Sequence, residues 1–222
     1  MTAVECSPNH FTLDVAHPLA RELHKSLFGD QTRRRTQLHD IYNLMEQPKL
    51  FRRIVHFLSE RYRAMGAEGP THILGLESRG YLLGVPLAME LGLPFVAARV
   101  TKRFPSSFID EGGSLKQLPS SRSIRNASIP QNARVVVVDD FIGTGHTMTT
   151  ALCVMDIIGA RVLEAVTLCD IVALSGVDQV HNADDGYFRQ TPIVTLVRFH
   201  STMQTAEEQL RLVNQTFSRS HM

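Results

Sequence analysis

The run Arg134-Val135-Val136-Val137-Val138-Asp139-Asp140-Phe141-Ile142-Gly143-Thr144-Gly145-His146-Thr147 places an apolar stretch, an acidic pair, a small-residue loop and a helix start in that order. Four consecutive valines suit a strand buried on both faces of a parallel sheet. Asp139 and Asp140 stand where that strand is expected to end. Gly143 and Gly145 permit tight turns, and Thr144 and Thr147 supply hydroxyls. A helix is expected from Thr147 through Ile158, closed by Gly159. A loop of this kind aims several backbone N–H groups at one phosphate, helped by the positive end of the helix that follows. Carboxylates repel phosphate, so the acidic pair is better suited to accept hydrogen bonds from sugar hydroxyls. The combination reads as a cradle for ribose 5-phosphate. The plain alternative is a strand, a turn and a helix with solvated acids.

Upstream, Thr71 to Leu76 reads as a second buried strand, followed by Glu77-Ser78-Arg79-Gly80 and a helix from Tyr81 to Leu91. In an open parallel sheet, ligands collect beyond the carboxyl ends of the strands. Glu77, Ser78, Arg79 and Gly80 are therefore candidate contacts. Arg79 and the N–H groups around Ser78 and Gly80 suit a diphosphate, with a structural salt bridge as the other role open to Arg79. Pro94 to Val100 gives the next strand, ending in Arg99. Thr101, Lys102 and Arg103 extend a cationic cluster suited to a departing diphosphate.

Around these two units, a helix is expected from Pro48, where Leu50, Phe51, Ile54, Val55, Leu58 and Tyr62 recur at helical spacing. Arg161 to Ile171 and Pro192 to His200 read as strands, Ala173 to His181 as a short helix or turn, and Glu207 to Phe217 as a helix. Strands alternating with helices imply an α/β fold with a mainly parallel central sheet flanked by helices. Residues 1–30 show little periodicity and read as an N-terminal leader. Residues 31–200 form the domain, and 201–222 a C-terminal helix and tail. Within the domain, 104–133 lacks sustained periodicity and is rich in Ser, Pro and Gly, the composition of a flexible lid. The basic run Arg33-Arg34-Arg35 reads as a solvated turn.

The segment from Arg134 to Thr147 closely resembles the phosphoribosyl-pyrophosphate motif of the type I phosphoribosyltransferases. The phrase Gly75-Leu76-Glu77-Ser78-Arg79-Gly80-Tyr81-Leu82-Leu83-Gly84 resembles the pyrophosphate loop of the adenine phosphoribosyltransferase family. The likeness runs from about Leu38 to His200. It implies the type I phosphoribosyltransferase fold and a purine-salvage transfer in which adenine and phosphoribosyl pyrophosphate give AMP and pyrophosphate. It further implies that Asp139 and Asp140 hold the ribose hydroxyls and that Gly143, Thr144, Gly145, His146 and Thr147 hold the 5-phosphate. Arg79, Arg99 and Arg103 would face the diphosphate. Magnesium carried with phosphoribosyl pyrophosphate, a homodimer and a mobile hood over the site are implied too. The family more often has a small residue where His146 stands.

Two segments depart from the family pattern. Leu38-His39-Asp40-Ile41 stands where the family has Phe-Arg-Asp-Ile, so Leu38 replaces an aromatic stacking surface and His39 an arginine. Gly113-Ser114-Leu115-Lys116-Gln117 stands where the family's lid has Tyr-Ser-Leu-Glu-Tyr. Lys116 then replaces the carboxylate associated with proton transfer at the purine, and Glu111 is a nearby substitute. These departures motivate a second expectation: a catalytically weak paralogue that binds phosphoribosyl pyrophosphate or nucleotide and acts as a regulator or partner subunit.

The remaining bounds are broad. In 222 residues, 43% hydrophobic and 20% charged, one sizeable α/β domain fits. A formal charge of +1 argues against a general nucleic-acid footprint. Cys6, Cys153 and Cys169 make no metal spacing or disulfide framework, and no metal site built by the protein alone is expected. Without a membrane-length apolar run or a signal-peptide pattern, a cytoplasmic protein is expected. The terminal Ser220-His221-Met222 resembles a degenerate peroxisomal address and leaves a glycosome or peroxisome as the alternative.

Overall fold

Val135, Val136, Val137 and Val138 are each 0% exposed, as a strand covered on both faces requires. They lie on β6 (Arg134–Ile142), one of eight strands ordered β1-β2-β8-β7-β6-β3-β4-β5. The computed structural model describes residues 3–28, 41–100, 122–123 and 129–200. The other strands are β1 (Ala3–Ser7), β2 (His10–Leu13), β3 (His72–Leu76), β4 (Phe95–Val100), β5 (Arg122–Ser123), β7 (Arg161–Ile171) and β8 (Ile193–Phe199). The helices are α1 (Pro18–Phe28), α2 (Ile41–Met45), α3 (Pro48–Arg63), α4 (Gly80–Leu91), α5 (His146–Ile158) and α6 (Gly176–Gly186). Among the described strands, only the outermost pairs, β1 with β2 and β4 with β5, are antiparallel. The expected mainly parallel α/β sheet is borne out.

The two faces of the sheet hold separate cores. Val136 and Val138 pack with Ile54 and Leu58 of α3 and Leu83 and Leu87 of α4. Val135 and Val137 pack with Met148 and Leu152 of α5 and Val180 of α6. On α3, Pro48 occupies the first turn, and Leu50, Ile54, Val55, Leu58 and Tyr62 form the buried stripe. Each such side chain contributes about 1.5–3 kcal/mol by leaving water. Tyr62 Oη donates to Glu164 at 2.8 Å and Arg61 pairs with the same carboxylate at 2.6 Å, tying α3 to β7. Helices α4 and α5 both end at left-handed glycines, Gly92 (φ 68°) and Gly159 (φ 75°).

The chain path fixes where a ligand can sit. From the centre, β3–α4–β4 runs toward one edge, whereas β6–α5–β7–α6–β8 runs toward the other. With crossovers of one hand, that reversal puts α4 and α5 on opposite faces. It opens a crevice between the carboxyl ends of β3 and β6.

Several local expectations change. Within the segment read as a leader, residues 3–28 fold onto the domain: β2 pairs in parallel with β8, and Leu19, Leu23 and Leu27 of α1 join the α3–α4 core. The strand β6 does not stop at the acidic pair but runs to Ile142, because Phe141 and Ile142 continue pairing with Cys169 and Asp170 of β7. Helix α5 begins one residue early, at His146, and α6 continues to Gly186 through a break at Ala183, Asp184 and Asp185. Within the stretch read as an irregular lid, Arg122–Ser123 adds a short antiparallel strand beside Arg99 and Val100. Lid residues 104–121 and 124–128 and the helix expected over Glu207–Phe217 lie outside the described residues.

Candidate active site

The site is built where the two strand-to-helix loops meet. Beyond β3, Glu77 and Ser78 are exposed, Arg79 is half-buried and Gly80 is buried. The Glu77–Ser78 peptide is cis. Gly80 starts α4 hard against β6: a Cβ there would lie 2.5 Å from the Val138 carbonyl oxygen and 3.2 Å from Asp139 Cα. No side chain fits, and its absence lets the two loops share one crevice.

From the other side, Asp139 and Asp140 are 9% and 3% exposed. Asp139 Oδ1 accepts the Asp140 backbone N–H at 2.9 Å. Arg79 Nη1 lies 3.0 Å from Asp140 Oδ2, and the guanidinium sits 5.7 Å from the centroid of the Phe141 ring. That ion pair is the structural role weighed for Arg79 from sequence, and it leaves the side chain 21% exposed toward the crevice. The contact lies off the line of an N–H bond, so Asp140 Oδ2 is buried without a hydrogen-bond donor among the described residues. Burial raises the Asp140 carboxyl above its ordinary pKa, and the Arg79 cation opposes that rise. A buried carboxylate oxygen with no aligned donor suits a ligand hydroxyl.

The loop after β6 is pinned by α6. A Cβ on Gly176 would lie 2.1 Å from the Gly143 carbonyl oxygen, and one on Gly145 2.4 Å from that of Gly176. Gly145 adopts φ 76° at the N-cap of α5, where L side chains are strained. The first helical hydrogen bond runs from Thr149 N–H to Gly145 O at 2.8 Å, so the N–H groups of His146, Thr147 and Met148 precede it. The first turn of α5 has neither an acidic residue nor a side-chain cap. Thr144 and His146 are exposed and Thr147 half-buried around this helix end, a geometry suited to an anion.

The structure thus brings Glu77, Ser78, Arg79, Gly80, Asp139, Asp140, Gly143, Thr144, Gly145, His146 and Thr147 to one edge of the sheet. Arg99 lies on β4, with its side chain outside the described part. Leu38, His39, Arg103, Glu111 and Lys116 lie outside the described residues, as does Ser220-His221-Met222. Sequence reading missed Gly176, whose signal was the Ser-Gly turn pair after β7. It also missed Asp170 at the end of β7, a third buried carboxylate on the same edge, paired with Arg198 at 3.1 Å. Burial raises its pKa too, opposed by Arg198. Among the described residues no group of three or more His, Cys, Asp or Glu is arranged to hold a metal. None of their helices is long and apolar enough to cross a membrane.

A switch-point crevice with a buried acid pair and a glycine-pinned helix end defines a sugar-phosphate transferase architecture, and the phosphoribosyl transferase domain family matches residues 40–195. The chain belongs to that family. Its adenine phosphoribosyltransferase resemblance is borne out as well. The enzyme of that name from Carboxydothermus hydrogenoformans is 34% identical over 137 residues, 62% of this chain and 79% of that one. The one from Bordetella avium is 32% identical over 163 residues, 73% of this chain and 85% of that one. Among solved structures, Trypanosoma brucei adenine phosphoribosyltransferase, determined with AMP, pyrophosphate and ribose-5-phosphate, superposes with a TM-score of 0.74 at 31% identity. The match covers 89% of this chain and 86% of that one. The Leishmania tarentolae enzyme gives 0.74 at 29% identity, covering 92% and 98%. The type I phosphoribosyltransferase fold expected from the two loops is therefore present.

Proposed function

We infer that the chain transfers the phosphoribosyl group of phosphoribosyl pyrophosphate to adenine, giving AMP and pyrophosphate. The observation that carries this reading is the meeting of the two loops, with Gly80 pressed on Asp139 and the buried acid pair set beside the start of α5. In the transfer, a purine nitrogen forms a bond to the ribose C1 as the C1–O bond to pyrophosphate breaks, and the nitrogen's proton departs. Positive charge develops on the sugar, so exclusion of water and fixed orientation dominate.

Each residue's role follows from that chemistry. Asp139 and Asp140 accept hydrogen bonds from the ribose hydroxyls. Gly143, Thr144, Gly145, His146 and Thr147 hold the 5-phosphate at the α5 terminus. Glu77, Ser78, Arg79 and Gly80 line the diphosphate, joined by Arg99 and Arg103. Leu38 and His39 stand at the base. Lys116 and Glu111 are the proposed proton-transfer groups, tested by Lys116→Ala and Glu111→Ala. Turnover lost with phosphoribosyl pyrophosphate binding retained assigns the role, and unchanged turnover in both removes it.

Magnesium belongs to the proposal as a companion of the substrate. Among the described residues no third His, Cys, Asp or Glu is grouped with Asp139 and Asp140 to hold a metal, so these two carboxylates would hold a hard cation that arrives with the diphosphate. When bound, it neutralises the leaving diphosphate. The proposal includes a homodimer, tested by sedimentation equilibrium. It also includes a cytoplasmic location, with which three unbridged cysteines agree. A fluorescent fusion ending in Ser220-His221-Met222 tests the organelle alternative.

The deciding experiment is pyrophosphate release with magnesium, phosphoribosyl pyrophosphate and, separately, adenine, hypoxanthine, guanine and xanthine. Release with adenine, abolished by EDTA, is expected. No release with any base would overturn the reading.

A further inference from the structure

The formal charge of +1 conceals a segregation of charge by layer. On one side of the sheet, α1, α3 and α4 carry seven Lys and Arg against three carboxylates. On the other side, α5 and α6 carry four carboxylates and no Lys or Arg, with Arg189 following just beyond α6. Pairing does not remove the imbalance. Arg53 meets Glu22 at 2.6 Å, Arg61 is taken by Glu164, and Arg63 by Glu60 and Glu90. Arg21, Lys25, Lys49 and Arg52 are exposed and meet no carboxylate among the described residues. Lys49, Arg52 and Arg53 fall at i, i+3 and i+4, so they share one stripe of α3. Glu46, exposed between α2 and α3, leaves this side in cationic excess. Across the sheet, Asp178, Asp184 and Asp185 are exposed and meet no Lys or Arg among the described residues, and Asp156 accepts the Tyr187 hydroxyl at 2.8 Å. Each layer also exposes an apolar anchor: Tyr42 of α2 beside the basic one, Ile157 and Tyr187 beside the acidic one. Tyrosine and arginine are the residues that interfaces between proteins favour.

We propose that the α1–α3 layer of one copy docks on the α5–α6 layer of a second, so that the chain stacks head to tail through unlike faces. Charge complementarity selects that occupant, because the molecule carries both the cation excess and the carboxylate excess and cancels neither internally. The two layers lie on opposite sides of one sheet, so each contact leaves a basic face free at one end and an acidic face free at the other. Copies can therefore keep adding, unlike a two-fold homodimer, in which the same patch meets itself. The crevice opens at the carboxyl edge of the sheet rather than on either layer, which leaves it accessible in the stack. The proposal does not depend on the transferase reading. Each exposed ion pair contributes about 1.5- to fivefold in association, and salt screens it. The screening length falls from about 30 Å at 0.01 M to about 8 Å at 0.15 M, so stacking belongs to low ionic strength.

The test is sedimentation velocity of the full chain over a range of concentrations, at about 0.01 M and about 0.15 M ionic strength. One variant carries Lys49→Glu with Arg52→Glu. The other carries Asp184→Asn with Asp185→Asn, since asparagine tolerates the positive φ of both positions (49° and 56°). All four side chains are exposed, so urea midpoints close to the parent's are expected and serve as the folding control. At low salt the parent should form larger species whose share grows with concentration and which dissolve at the higher salt. Each variant alone should associate at least about tenfold more weakly. Mixing the two variants should restore association, because each keeps the face that the other lacks. A parent that sediments identically at both ionic strengths overturns the proposal, as does association that survives either variant. A mixture no better than its components shows that the two faces do not meet and overturns it too. Retention of a labelled oligonucleotide through Lys49 and Arg52, without self-association, would assign the basic face to another occupant and has the same effect.

Discussion

Replacing Gly80 by alanine tests whether the meeting of the two loops makes the site. The new Cβ would lie 2.5 Å from the Val138 carbonyl oxygen, about 0.9 Å inside the 3.4 Å at which ordinary contact begins. Backbone surrounds it on that side, so the start of α4 must back away from β6 by roughly that amount. Such overpacking costs about 1–3 kcal/mol of stability. A displacement of about an ångström between groups that grip opposite ends of one substrate costs on the order of 100-fold in rate. Gly84 supplies the control, because a Cβ there meets the Phe95 ring edge at 2.8 Å. That ring is half-buried and can swing aside. Gly84→Ala is expected to lose about 1 kcal/mol and keep kcat/KM within about threefold. Gly80→Ala should lose about 100-fold in kcat/KM for phosphoribosyl pyrophosphate. Pyrophosphate release and urea unfolding on both variants decide it. The reasoning fails if Gly80→Ala retains the parent's kcat/KM, or if both variants lose it equally.

Other outcomes follow from the buried charges. Because burial raises the Asp140 pKa, the folded chain holds that proton more tightly than the unfolded chain, and the ionised carboxylate opposes folding at neutral pH. Asp140→Asn is expected to raise the urea midpoint at pH 7.5 while abolishing phosphoribosyl pyrophosphate binding, the stability gain shrinking as pH falls toward the ordinary carboxylate pKa of about 3.9. His10 is pushed down to about 4 by burial, with Arg198 and His181 adding to the effect, and its ring nitrogen meets Thr195 Oγ1 at 2.9 Å. Below about pH 6.5 the unfolded chain takes up a proton that the folded His10 refuses, so the thermal midpoint should fall from there to about 4, less steeply in His10→Gln. Glu164→Ala leaves Arg61 and the buried Tyr62 hydroxyl without their carboxylate and should cost about 3 kcal/mol in urea unfolding. The KM for phosphoribosyl pyrophosphate should not move, since Glu164 pairs with Val136 near the opposite end of the sheet.

What the sequence disclosed was set by local chemistry. The β3–α4 and β6–α5 units lay within a residue or two of expectation because valine runs, Gly80 and Gly159 act over a few positions. The candidate contacts of both loops fell on one edge for the same reason. The length of β6 was hidden because Phe141 and Ile142 are held in the strand by β7, not by their own pattern. Strand β2 is only His10–Leu13, too short for alternation to register, and its partner Ile193 is remote in sequence. The Arg79–Asp140 pair and the pressure of Gly176 on Gly143 depend on how helices on opposite faces approach the crevice. No spacing in the chain encodes that approach.

The pairing of β2 with β8 also sets a timetable. His10 lies opposite Ile193, so a growing chain can complete the inner strands before the partner of its first segment exists. At about 5–20 residues per second, β2 waits roughly 10–40 s for β8 to be made. Through that interval Leu19, Leu23 and Leu27 of α1 lack the β8 residues with which they are finally buried. Amino-terminal fusions should therefore disturb the last step of assembly more than the first, lowering the yield of folded protein while leaving the sheet centre that carries the site to form on time.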